Sequence, residues 1–179
     1  MGIAIVVAVI LWTTARHELS HALVAWMRGN EVTSLRWWPG SSDGAWSLGA
    51  VTHVGPPHWT IDAAPYLVDV LLILIAALTL AVARGSVVRR VVLLALVISP
   101  VADLIWGWVG TMGRSGSDGA DLIAASSAVW VHAAFALAVA AGVVVLRRSR
   151  VGRDRGMDHS SEERASQSDS LSHDRRSGP

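Results

Sequence analysis

Residues 2–27 read GIAIVVAVILWTTARHELSHALVAWM, and this stretch decides the fold. A bilayer-crossing helix needs about 20 mostly apolar residues. From Gly2 to Ala15 there is no charge. Arg16, His17, Glu18 and His21 then fall within six positions, and Ala22 to Met27 is apolar again. The apolar run is continuous rather than alternating, which fits a helix and not a barrel strand. A cleavable signal peptide fits poorly. The start has no basic residue, and Arg16 and Glu18 stand where cleavage would be set up.

Three further runs outward from this one are long and apolar enough to cross a membrane: residues 63–83, 91–110 and 122–146. The whole chain agrees. Hydrophobic residues make up 52%, charged residues 16%, and mean hydropathy is +0.44. Of the 29 Arg, Asp and Glu residues, 14 lie from Arg147 onward, so the body before it is too poor in charge for a water-facing surface. There is no Lys and no Cys. Disulfides, thiolate metal sites and Cys nucleophiles are therefore excluded. The net charge of +1, without a basic face, gives no reason to expect nucleic acid.

The expected architecture is an all-α integral membrane protein. About four transmembrane helices (2–27, 63–83, 91–110, 122–146) make a multi-pass domain over residues 1–146. Glu31 to Trp38 and Trp46 to Val54 are rich in Val, Thr, Trp and Leu. With Pro39 to Gly44 between them, they predict a small β-hairpin over 31–54. Gly29-Asn30 predicts a C-cap for the first helix. Residues 147–179 have almost no large apolar side chains and predict a disordered charged tail. Trp37, Trp38, Trp59, Trp106 and Trp108 near helix ends suit the headgroup zone. Arg84, Arg89, Arg90 and the Arg residues from 147 to 155 outnumber Arg28, Arg36 and Arg114 in the opposite loops. That bias predicts a cell-membrane protein with both termini, and so the C-terminal tail, in the cytoplasm.

His17-Glu18-Leu19-Ser20-His21 carries the chemistry. Positions four apart share a helix face, so two imidazoles can meet one Zn2+. Glu18 beside them is placed to act as general base on a water that zinc acidifies. Ionisable residues inside a membrane segment are costly, and their presence points to function. The third ligand is not in the motif. Gly and His at three and six residues beyond the second His would mark the long form of the motif, but those positions are Val24 and Met27. The only other Glu residues are Glu31, Glu162 and Glu163. Asp69, Asp103 and His132 remain. Asp103 follows Pro100, which should open the helix and free carbonyls for a polar cavity, so Asp103 is the favoured ligand. Asp69 is the alternative, as a ligand or a polar partner behind one. His132 reads as a hydrogen-bonded packing residue. Asp118 and Asp121 read as acids at a helix start, where the dipole favours them.

With this motif, the Gly29-Asn30-Glu31-Val32 entry to a hairpin, and Asp103 after Pro100, the chain resembles the site-2 protease family of intramembrane zinc metalloproteases over about residues 10–110. The resemblance implies His17, His21 and Asp103 as zinc ligands and Glu18 as the base. It implies cleavage of peptide bonds in or near membrane segments of substrate proteins. The family's site commonly opens to the cytosol, whereas the Arg bias puts the hairpin outside, so orientation stays open. Two other functions compete. ZIP-type zinc transporters carry a similar motif but need about eight helices, which would require a homo-oligomer here. A non-enzymatic membrane protein holding metal structurally is the third reading.

Overall fold

A computed structural model of the protein describes residues 2–42, 45–83, 85–112 and 117–149. Four helices are long and apolar enough to cross a membrane: α1 (Gly2–Met27), α2 (Trp59–Val82), α3 (Ser86–Gly110) and α5 (Ala128–Ser149). Between α3 and α5 lies a short helix, α4 (Asp118–Ala125). Residues 2–145 belong to one compact unit. The disordered tail expected over 147–179 lies outside the described residues from 150 on; residues 147–149 continue α5.

The helix α1 is inside out by the standard of a soluble protein. Its buried residues are Thr14, Arg16, Ser20, His21 and Ala25, while Ile3, Val6, Trp26 and Met27 are exposed. Apolar side chains face outward where lipid would be, and the polar face is turned into the bundle.

Gly29 ends α1 at φ +82, with Asn30 N–H donating to Ala25 O (2.9 Å) and Gly29 N–H to Trp26 O (2.9 Å). These two bonds form a Schellman cap, which only a residue tolerant of positive φ completes without strain. The hairpin follows. Strand β1 (Glu31–Arg36) pairs antiparallel with β4 (Ala50–Val54), with an irregularity between Val32 and Ser34. The expected turn at 39–44 contains more structure than its Pro and Gly suggested. Strand β2 (Gly40–Ser42) pairs with β3 (Ala45–Ser47) as an inner ribbon. The Arg36 guanidinium ties the two pairs together, donating to Trp38 O (3.0 Å) and Ser47 Oγ (2.6 Å).

Helix α2 begins four residues before the expected 63, because the His58 side chain caps it by accepting from Thr60 N–H (3.2 Å). Helix α3 starts at Ser86, ahead of the expected 91. The fourth segment, expected as one helix over 122–146, is instead split. Ser126 leaves the helical region (φ −140, ψ −107), and its hydroxyl donates to Leu122 O (2.9 Å). A Ser-Ser pair offers the backbone local alternatives to a continuing helix, and α5 restarts at Ala128.

Pro100 does not break α3. The helix widens into a π-turn over Leu94–Ile98, where Ser99 N–H donates to Leu94 O, one residue further back than in an α-helix. By the same spacing the Ala95 carbonyl would need a proton from Pro100, which has none. Trp12 Nε1 of α1 donates to it instead (3.2 Å). One turn on, Thr13 Oγ1 and Ser99 Oγ are hydrogen-bonded at 2.6 Å. One turn further stand Arg16, His17 and Asp103. A polar seam thus runs between α1 and α3, stepping toward the motif.

Candidate metal centre

The motif's two imidazoles meet as their spacing predicts, with His17 Nε2 and His21 Nε2 3.2 Å apart. The other ring nitrogen of each is held separately. His21 Nδ1 donates to the buried Ile61 carbonyl of α2 at 2.7 Å. A carbonyl can only accept, so Nδ1 carries the proton and Nε2 of the neutral ring presents a lone pair. His17 Nδ1 lies 3.0 and 3.1 Å from the two carboxylate oxygens of Asp103 on α3. As donor to that carboxylate, it leaves Nε2 of His17 with a lone pair too.

The third group at this point is Asp118, the first residue of α4. Its Oδ2 is 3.1 Å from His17 Nε2 and 3.1 Å from His21 Nε2. Two nitrogen lone pairs and a carboxylate oxygen therefore form a nearly equilateral triangle. Three electron-rich atoms so close need a cation among them. Around a tetrahedral zinc ion with bonds of about 2.0–2.1 Å, donors stand about 3.3 Å apart, so the set fits one ion with a fourth position left over. Among the described residues, this is the one place where three such donors converge.

Asp118 thus stands where sequence reasoning placed Asp103. Asp103 sits instead on the far edge of the His17 ring, where it orients the imidazole rather than sharing a point with His21. Asp69, the alternative, is farther back. It forms an ion pair with Arg16, whose other terminal nitrogen, Nη2, donates to Asp103 Oδ2 (3.1 Å). Arg16, Asp69 and Asp103 are all buried. His132 accepts from Trp108 Nε1 (3.0 Å), away from these groups.

Asp118 reaches the triangle because a glycine beside it lets α4 close on α3. A Cβ on Gly119 would stand 2.9 Å from the Gly107 carbonyl and 2.5 Å from Thr111 Cγ2. Ser117 caps α4, its Oγ accepting from Ala120 N–H (3.3 Å). Capping therefore does not occupy Asp118. Gly119 immediately after Asp118 was the signal available in the sequence. Burial alone would raise the Asp118 carboxyl. Without a metal ion, hydrogen bonds from ring N–H groups of His17 and His21, in the ion's place, outweigh it and hold the group well below the usual carboxylate range.

Glu18 lies beneath the hairpin. A Cβ on Gly49 would stand 2.5 Å from Glu18 Cγ and 2.6 Å from its Oε1. The loop backbone between β3 and β4 thus crosses directly over the carboxylate, which is within electrostatic reach of His17, His21 and Asp118.

Two cavities flank the centre. One, of about 370 Å³, is apolar and lined by Tyr66, Leu67, Val70, Leu104, Trp130 and Phe135, among others. Tyr66 is its wall toward the metal donors, with its ring edge-on to His17 at 5.8 Å between centroids. The other, of about 510 Å³, has a mixed lining, with His53, His58, Asp62 and Asp121 around it and Ile61 at its side. Comparison with family models, with curated proteins and with solved structures gives no match to this chain.

Proposed function

We propose that this protein is a membrane-embedded zinc metallopeptidase that hydrolyses peptide bonds in or near membrane segments of substrate proteins. The reading rests on one observation: His17 Nε2, His21 Nε2 and Asp118 Oδ2 stand 3.1–3.2 Å apart, with the other ring nitrogen of each His held by an acceptor. In this reading His17, His21 and Asp118 hold Zn2+, while Asp103 and the Ile61 carbonyl fix the two rings. When bound, zinc supplies Lewis acidity, lowering the pKa of water and polarising a carbonyl. Glu18, next to the donors, takes the proton of the attacking water and passes it to the leaving amine. The cavity beside Ile61, with His and Asp side chains in its wall, supports a supply of water to a site flanked by apolar helices. The apolar cavity behind Tyr66 supports a hydrophobic substrate segment. The four apolar helices support a site within a membrane, and the Arg bias favours a cytoplasmic C-terminal tail.

A transporter needs successive donor clusters along a path, and the described residues contain one. The presence of Glu18 under a close backbone cover also favours catalysis over structural metal binding.

The test is purified protein in liposomes carrying labelled single-span peptides, with zinc measured by elemental analysis. Wild type should hold one zinc per chain and cleave. Glu18→Gln should keep the zinc and lose cleavage. Cleavage persisting in Glu18→Gln, or no zinc in wild type, overturns the proposal.

A further inference from the structure

Pro65 lies inside α2, six residues after its start. A proline has no N–H, and its ring crowds the carbonyl four residues back. That carbonyl belongs to Ile61. It is the group that accepts from His21 Nδ1 at 2.7 Å. In an uninterrupted helix, residue 65 would supply the Ile61 carbonyl with its ordinary partner and draw it along the helix axis. With proline there, the carbonyl is left for a donor from outside the helix, and His21 is that donor.

We infer that Pro65 is a positioning residue for the metal centre: it leaves the Ile61 carbonyl to the His21 imidazole and so turns the Nε2 lone pair of His21 toward His17 and Asp118. The inference rests on the proposed metal-binding reading, and its geometry is the contact between His21 Nδ1 and the Ile61 carbonyl. The bundle uses the same device a second time. Pro100 leaves the Ala95 carbonyl, and Trp12 Nε1 takes it. At Pro100 the freed carbonyl joins helices; at Pro65 it sets a ring.

A packing role and a positioning role are separated by the His21 ring in Pro65→Ala. Alanine restores the N–H and removes the ring, so α2 becomes a better helix. A proline that served only the fold would lose both stability and zinc when replaced. Pro65 is itself fully buried, so Pro65→Ala sets a better helix against a small void; a proline that serves His21 should show weaker zinc binding together with a changed His21 tautomer, whatever the net change in thermal stability.

The experiment uses the full chain in detergent micelles. Zinc affinity is read by competition with a chromophoric chelator, and the His21 tautomer by 15N NMR of labelled histidine without metal. Pro65→Ala should bind zinc about tenfold more weakly, the scale seen when partners behind metal ligands are lost. Its His21 Nδ1–H signature should give way to a mixture of tautomers. Pro65→Val, which also restores the N–H, should do the same. Unchanged affinity together with an unchanged His21 signature overturns the inference while leaving the metal centre standing. If wild type binds no zinc, the metal reading falls, and the tautomer shift alone decides the role of Pro65.

Discussion

Arg16 of α1 and Asp69 of α2 form an ion pair with both side chains buried, at 6% and 0% exposure. The same guanidinium also donates to Asp103 of α3. One Arg thus links three helices and leads, through Asp103, to His17. Breaking such a pair leaves a carboxylate without its counter-charge. Arg16→Met should lower stability by about 3–5 kcal/mol. The joint variant Arg16→Met with Asp69→Asn should cost less than the sum of the two single changes. A double-mutant cycle on unfolding in mixed micelles reads this, and strictly additive costs would refute the linkage.

The two carboxylates on either edge of the His17 ring should separate in zinc binding. Asp103→Asn removes an acceptor behind the ring and should weaken zinc about 10–100-fold. Asp118→Asn removes a donor from the triangle itself and should weaken it further. The reverse order would return the ligand role to Asp103. The depressed Asp118 carboxyl adds a check on pH. Its stabilising contribution is present above the ordinary carboxylate range and is lost only as pH falls through the lowered value. The stability gap between wild type and Asp118→Asn, measured without metal, should therefore persist at pH 5.

Gly49 offers a change that spares the metal. An added methyl would meet the Glu18 carboxylate arm, and Thr14 Cγ2 at 2.8 Å. Gly49→Ala should displace Glu18, keep one zinc per chain and lower turnover by at least tenfold, within the range general-base catalysis contributes. Loss of zinc in this variant would mean that the hairpin supports the ligands instead.

Trp12→Phe removes the external donor to Ala95 O. It should cost about 1 kcal/mol, the net worth of one such bond. In a Pro100→Ala background, where an N–H is again available to that carbonyl, the same change should cost less. Equal costs in the two backgrounds would show that the π-turn and Trp12 are not coupled.

Much of this was legible in residue order because it depends on local pattern. Apolar runs gave the first three spans to within a few residues. The four-residue spacing brought His17 and His21 together, and Gly29 marked the end of α1. Asp103 was recognisable as a partner of the motif helix, since Pro100 signalled an opened backbone beside it. Which edge of the His17 ring it meets was not legible, because that depends on how α3 is rotated against α1. Asp118 was the harder case. Its local setting, the first turn of a helix, already explains an acid, and its long-range role depends on the close approach to α3 that Gly119 permits. The Ser126-Ser127 break was readable in composition but lay hidden inside an otherwise apolar run.

The placement of Asp118 on α4 has a consequence for biosynthesis. His17 and Asp118 are 101 positions apart. A nascent chain that has inserted α1 and α2 already carries the base, both imidazoles and the Ile61 carbonyl, but not the carboxylate that completes the triangle. On the proposed reading, the ribosome must finish the segment that follows α3 before zinc can be fully coordinated. Hydrolytic competence then cannot precede the synthesis of α1, α2 and α3, so a chain of two or three helices has no complete centre to turn on its neighbours in the membrane.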